Sequence, residues 1–76
     1  MQSSVFSDHL AELLKHSLAL DAAAGTNDDF VELQQLEARI VKAPQTGYYS
    51  AAESRALSTI AAKLHAEYRT ALKLDA

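Results

Sequence analysis

The chain has 76 residues, a formal net charge of −3 at pH 7 and no cysteine. Its length predicts one domain, and the absence of cysteine excludes disulfides and thiolate metal sites. An acidic chain is a poor match for nucleic-acid phosphates or an anionic membrane, so we expect neither as the main partner. Residues 1–8 lack the basic and apolar regions of a signal peptide, and no apolar run approaches the ~20 residues of a membrane span. A cytoplasmic protein is therefore expected.

Apolar residues recur at helical spacing over residues 5–24, which predicts the first helix. Ser4 or Ser7 is placed to cap its start, and Gly25 is placed to end it in a left-handed conformation. The apolar residues occupy a wider arc than one seam of a bundle needs, which indicates burial on more than one side. We therefore expect a partner-binding surface on this helix, formed by Phe6, Leu10, Leu13, Leu14 and Leu18.

The second helix is predicted over residues 27–43. Thr26 or Asn27 can cap its start, and Pro44 disfavours its continuation. One side of this helix is apolar and is expected to face the core. Its members are Phe30, Leu33, Leu36, Ile40 and Val41.

The third helix is predicted over residues 51–74. Ser50 and Glu53 have the spacing of a capping box, in which the serine oxygen accepts from the backbone of the first turn and the carboxylate returns to the cap amide. The side that is expected to face the core consists of Leu57, Ile60, Leu64, Tyr68, Ala71 and Leu72.

Three helices joined by short connectors predict an all-α fold with antiparallel neighbours. The simplest architecture is a small three-helix bundle. The alternative is a long helical hairpin, in which the first two helices are nearly continuous and a second copy completes the core. Homodimerisation is expected because a chain of this length gains only about 3–5 kcal/mol from its own core.

Two adjacent tyrosines, Tyr48 and Tyr49, lie in the connector before the third helix. In one interpretation one or both rings close the end of the core over Ile40 and Leu57, with the hydroxyl groups in water. In the other, at least one ring is an anchor for a partner protein, because tyrosine is enriched at binding hot spots.

Two histidines and a carboxylate share one side of the first helix. His9, Glu12 and His16 stand at i, i+3 and i+7, and His65 of the third helix could add a fourth metal ligand. Their order differs from that of zinc-protease and di-iron motifs, and we favour a solvated side with a Glu12–His16 pair. The chain also has no glycine-rich phosphate loop and no serine elbow. We therefore expect no metal, no cofactor and no enzyme activity.

The third helix carries a candidate basic face formed by Arg55, Arg69 and Lys73. These cations could contact nucleic-acid phosphates, although cations on a long helix more often form a solvated face. The predicted second helix begins with Asp28 and Asp29, whose charge is wrong for insertion into a major groove.

The segment from Pro44 to His65 resembles part of the small helical co-chaperones of type III secretion needle subunits. The likeness is carried by a chain break with an aromatic residue, followed by a helix with an Ala-Leu step at Ala56 and Leu57, and it covers less than a third of the chain. The resemblance implies a chaperone-like role with a protein partner.

The main hypothesis is a non-enzymatic protein–protein interaction module that acts as a homodimer and binds its partner through the first helix and the Tyr48/Tyr49 connector. An adaptor, an inhibitor encoded by a phage or other mobile element, and a co-chaperone all fit this description. Two alternatives stay open. One is a nucleic-acid-associated regulator that uses the basic face, and the other is a small-ligand or metal binder at an oligomer interface.

Overall fold

The structure is a computed structural model that describes residues 4–74 of the chain. These residues form three helices, α1 (Val5–Asp21), α2 (Asn27–Lys42) and α3 (Ala51–Ala71), and contain no strand. The predicted all-α three-helix bundle is confirmed, whereas the hairpin is wrong, because α1 packs against both other helices. None of the three helices in this part of the chain combines the length and the apolar character that crossing a bilayer requires. Homodimerisation stays a prediction.

Contacts near the helix ends establish the direction of each helix. The rings of Phe6 and Tyr49, near the starts of α1 and α3, are in edge contact with their centroids 5.6 Å apart. The hydroxyl of Tyr68, near the end of α3, donates to the backbone carbonyl of His16 at 3.2 Å. The end of α1 also meets the start of α2, where His16 Nε2 lies 3.1 Å from the carbonyl oxygen of Asp29. α1 and α3 therefore run in the same direction, and α2 runs antiparallel to both.

All three helices begin at a side-chain cap. Ser4 caps α1, and its oxygen accepts a hydrogen bond from the backbone of the first turn at 3.0 Å. Thr26 caps α2 and forms a reciprocal capping box with Asp29. Ser50 and Glu53 form the same arrangement at α3, with both backbone-to-side-chain distances at 3.1 Å, which confirms the predicted capping box.

The end of α1 differs from the prediction. The helix ends at Asp21, and the left-handed residue that follows is Ala23, with φ of 54°, rather than Gly25. The amide of Ala24 donates to the carbonyl of Ala19 at 2.8 Å, which is the longer hydrogen bond of a Schellman turn. An alanine therefore occupies a backbone position that favours glycine.

The end of α3 repeats this turn. The helix ends at Ala71 rather than at 74, and Lys73 adopts a left-handed φ of 58°. The amide of Leu74 donates to the carbonyl of Arg69 at 2.8 Å. The predicted helix is too long because a left-handed residue interrupts the helical hydrogen-bond series.

Gly25 is needed for space rather than for a left-handed backbone. A Cβ atom at this position would lie 2.8 Å from Cε1 of Tyr68, whose ring is fully buried. It would also lie 3.5 Å from a terminal carbon of Leu20. The connector between α1 and α2 therefore passes directly over the Tyr68 ring.

The core lies between the inner sides of the three helices and confirms most of the predicted buried positions. Val41 and Ile60 are exceptions, because 61% and 42% of their surface is exposed. Ala71 is exposed as well. Each of these residues lies at the edge of its apolar side, beyond the reach of the neighbouring helices. The largest fully buried side chains are Leu13, Leu33, Leu36, Ile40, Leu57 and Tyr68.

Replacing the left-handed alanine with glycine is expected to stabilise the protein. Ala23→Gly removes a backbone strain of about 1–2 kcal/mol, and the greater freedom of glycine in the unfolded chain offsets about half of this. We expect the free energy of unfolding in urea to rise by about 0.5–1 kcal/mol. Ala11→Gly, at an exposed position inside α1, is the matched control and should lower it by a similar amount. If Ala23→Gly and Ala11→Gly changed the free energy of unfolding in the same direction, the left-handed conformation of Ala23 would be contradicted.

Adding one methyl group at Gly25 is expected to destabilise the protein by about 1–3 kcal/mol, since the buried ring of Tyr68 has little room to move. Thermal and urea unfolding of Gly25→Ala would measure this. Gly47→Ala separates packing from backbone strain, because Gly47 has φ of 76° and open space around its Cβ direction. Only the Gly25 variant should disturb the environment of the Tyr68 ring in an NMR spectrum. An unchanged Tyr68 environment would show that the close approach is absent in solution.

Candidate functional site

The structure divides the predicted apolar surface of α1 into a buried and an exposed part. Leu13 is 1% exposed and belongs to the core, and Phe6 is partly buried against it. Leu10, Leu14 and Leu18 are 41%, 58% and 58% exposed. Leu13 therefore offers no surface to a partner, and the three outer leucines, called the leucine row below, are the accessible remainder.

The leucine row lies on the side of α1 that faces away from α2. Its members are four residues apart, which places them along one line about 12 Å long. His16 points to α2, and it is separated from Leu14 by about 200° of helix rotation. Ile60 of α3, which is half-exposed, is likewise turned away from His65 and the α2 side of its helix. The outer face of the α1–α3 pair therefore carries an uncovered apolar surface.

The two connector tyrosines have different environments. Tyr49 is buried, its ring contacts Phe6, and its hydroxyl lies 2.8 Å from Nδ1 of His9. The expectation that both hydroxyl groups lie in water is wrong for Tyr49, because His9 supplies a buried hydrogen-bond partner. Tyr49 closes one end of the core and is not available as a binding anchor. Tyr48 is 59% exposed and remains a candidate for that role.

His16 is a structural residue of the α1–α2 interface. It is buried, with Nδ1 2.7 Å from the carbonyl oxygen of Glu12 and Nε2 3.1 Å from that of Asp29. A carbonyl oxygen only accepts, so a neutral ring satisfies one of these contacts and an imidazolium satisfies both. The expectation of a solvated Glu12–His16 pair is wrong, because His16 contacts the backbone of Glu12 and not its carboxylate.

The remaining members of the candidate metal group point to separate partners. Glu12 forms a 3.6 Å ion pair with Arg39, and His65 Nδ1 lies 2.8 Å from the carboxylate of Glu37. Within residues 4–74, no three His, Asp or Glu side chains are placed to hold one metal ion. The spacing along α1 therefore does not translate into a common site.

The candidate basic face is exposed along α3. Arg55, Arg69 and Lys73 all lie at the surface, with Lys73 in the turn that follows the helix. An open depression of about 360 Å³ lies along another part of the same helix. It is lined by Ala66, Glu67, Thr70 and Ala71.

A smaller cleft, called the His9 cleft below, lies between α1, α2 and the connector that leads to α3. Its volume is about 180 Å³. Sequence reasoning did not identify this cleft, since its residues come from three segments of the chain. The feature of the sequence that could have indicated the cleft is the pair of cations in the last turn of α2, shortly before Tyr48. The lining residues are His9, Arg39, Lys42, Thr46 and Tyr48.

Comparisons of this chain with protein-family models, with curated proteins and with solved structures return no match. Its function is therefore inferred from its surface alone.

Two buried tyrosines are expected to make the fold less stable at alkaline pH. Burial raises the pKa of Tyr49, and the nearby carboxylate of Glu53 raises it further. Burial also raises the pKa of Tyr68, with further contributions from Asp29 and Glu32. In both cases the fold favours the protonated hydroxyl group.

The free energy of unfolding is expected to fall as the pH rises above ~10, where tyrosines of the unfolded chain ionise. The stabilisation by the protonated hydroxyls is complete below this pH and is lost as the pH passes through the higher pKa values of the folded state. Urea unfolding at a series of alkaline pH values would measure the decline. The double variant Tyr49→Phe/Tyr68→Phe should show a shallower decline, whatever its stability at neutral pH. If the free energy of unfolding fell equally steeply with pH in the double variant and in the wild type, groups other than these tyrosines would cause the decline.

Proposed function

We propose that the protein is a non-enzymatic helical interaction module that uses the leucine row of α1 to bind an amphipathic helix, in the first place α1 of a second copy. The observation that carries this proposal is the exposure of three leucines after the core of the bundle has closed. Single exposed apolar residues are common on soluble proteins, whereas contiguous ones are typical of interaction sites.

The spacing of the row suits helix packing. Side chains four residues apart form a ridge along a helix, and such ridges fit into the grooves of a neighbouring helix in the most frequent class of helix pairs. The half-exposed Ile60 on the adjoining side of α3 extends the apolar area beyond one helix. The surface is therefore suited to receiving a helix rather than a small ligand.

The residues around the row favour an antiparallel second copy. A twofold axis at Leu14 places Leu14 opposite its own copy and Leu10 opposite Leu18 of the partner. The same axis places Ser7 opposite Asp21 of the partner, so each carboxylate meets a hydroxyl donor. A parallel pair in the same register would bring the two copies of Asp21 together, which costs free energy through like-charge repulsion. Polar ends and an apolar centre therefore define both the direction and the register of the pair.

Leu14→Glu is expected to abolish self-association, because it places two carboxylates on the twofold axis of the pair. Sedimentation equilibrium over a wide range of concentration would measure this against the monomer mass of 8.2 kDa. The matched control is Val41→Glu, which introduces the same charge at a similarly exposed apolar residue of α2. It should associate as the wild type does.

Two results would contradict the proposal. A wild-type chain that stays monomeric at every concentration would remove the second copy as the binding partner. A Leu14→Glu variant that associates as strongly as Val41→Glu would show that another surface holds the copies together. Both variants should keep the helical circular-dichroism spectrum, since neither position belongs to the core.

A further inference from the structure

The buried ring of His16 has a hydrogen-bond acceptor at both of its nitrogens. Nδ1 lies 2.7 Å from the carbonyl oxygen of Glu12, and Nε2 lies 3.1 Å from the carbonyl oxygen of Asp29. Neither oxygen can donate, so both contacts are hydrogen bonds only when both ring nitrogens carry a proton. A neutral ring turns a lone pair toward one of the two carbonyls, and an unpaired polar group inside a protein is costly.

The other two histidines do not have this requirement. Nδ1 of His9 lies 2.8 Å from the hydroxyl of Tyr49, which can donate to a neutral ring or accept from it. Nδ1 of His65 lies 2.8 Å from the carboxylate of Glu37, where both side chains are partly exposed to water. One N–H is enough to satisfy each of these contacts. Only the contacts of His16 require the charged form of the ring.

Two carboxylates of α2 lie near the His16 ring. Burial raises the pKa of Tyr68, and the carboxylates of Asp29 and Glu32 raise it further. The hydroxyl of Tyr68 donates to the backbone carbonyl of His16, and its ring lies in edge contact with the imidazole at a centroid distance of 6.0 Å. The negative charges that act on this hydroxyl are therefore close to the imidazole as well, and opposite charges favour the imidazolium.

The remaining charges around His16 largely cancel. The carboxylate of Glu12, one turn earlier on α1, pairs with Arg39 of α2 at 3.6 Å, and both side chains are about half exposed. The start of α2 carries the positive end of a helix dipole, which Asp28 and Asp29 in its first turn offset. A buried cation must recover the hydration that it loses. Two carbonyl oxygens and the carboxylates of α2 supply that compensation here.

We propose that the fold binds a proton at His16 and that the resulting imidazolium holds the end of α1 against the start of α2. Nδ1–H donates within α1, and Nε2–H donates across the interface to the carbonyl of Asp29. When the ring loses its proton as the pH rises, one bond is lost. The shorter bond, within α1, keeps the remaining proton, so the bond between the two helices breaks. The contact between these helix ends is therefore sensitive to pH.

This inference does not depend on the proposed function. His16 points to α2 and is separated from Leu14 by about 200° of helix rotation. The proton-dependent contact and the leucine row thus lie on different sides of α1. Leu14→Glu should keep the pH dependence of the wild type, so failure of the self-association experiment and failure of this one can be distinguished.

The direct test is an NMR titration of the ring nitrogens in the ¹⁵N-labelled wild-type chain. The range runs from about pH 5.5 to about pH 8.5, below the region in which tyrosines ionise. The two nitrogens of an imidazolium have nearly equal chemical shifts, whereas those of a neutral ring differ widely. We expect His16 to keep the imidazolium pattern at about pH 7, where an unperturbed histidine is mostly neutral. His9 and His65 are internal controls in the same spectra.

Urea unfolding over the same range measures the energetic consequence. Stabilisation by the imidazolium is complete below about pH 6.5, where the unfolded chain also carries the proton, and it is lost as the folded ring releases its proton at higher pH. The unfolding equilibrium constant of the wild type should rise about tenfold more than that of His16→Gln, which offers neutral amide donors. The matched control His65→Gln removes a more exposed histidine and should keep most of the wild-type rise.

Each contrary result overturns the proposal. A neutral-ring pattern for His16 at about pH 7 would show that the fold does not hold the proton. Unfolding constants that change equally with pH in the wild type and in His16→Gln would remove the energetic role of the imidazolium. An equal loss of pH dependence in His65→Gln would assign the effect to the pair of His65 and Glu37. If His16→Gln does not fold, the titration of the wild-type ring decides alone.

Discussion

The fully buried ring of Tyr68 is the contact on which the arrangement of the three helices depends. It belongs to α3, its hydroxyl donates to the backbone of α1 at His16, and its ring stacks on Phe30 of α2 with centroids 6.0 Å apart. Gly25 lets the first connector pass over the same ring. One side chain thus touches all three helices and a connector, so a shift of any helix would leave a cavity or an unpaired hydroxyl.

A second tyrosine performs the corresponding task at the opposite end of the bundle. Tyr49 packs its ring against Phe6 and His9, and its hydroxyl is satisfied by His9. Each end of the bundle therefore pairs a buried tyrosine with a histidine of α1, since His16 lies against the ring of Tyr68. These roles explain why the histidines of α1 do not converge on a metal. Among the described residues, no buried side-chain nitrogen or oxygen lacks a hydrogen-bond partner.

Local signals in the sequence predicted the parts of the fold that depend on local physics. The capping box at Ser50 and the apolar spacing of α2 each involve residues within a few positions of one another. The capping box is confirmed, and the apolar side of α2 is confirmed except for Val41. The bond between His9 and Tyr49 joins residues 40 positions apart, and no periodicity indicates it. The role of Gly25 depends on a ring 43 positions away, so the sequence suggested a backbone role where the structure shows a spatial one. The His9 cleft was missed for the same reason, because three separate segments build it.

The core of a single copy is complete without the three leucines of the leucine row. α1 fills the interior with Leu13 and its two histidines, and the bundle is sealed by tyrosines at both ends, so the outer leucines add little to the stability of a single copy. More than half of the surface of Leu14 and of Leu18 stays exposed in a single copy. Their hydrophobic free energy is released only when another surface removes them from water. The row and the His9 cleft occupy different sides of α1, so this helix of 17 residues contributes to the core and to two separate features of the surface.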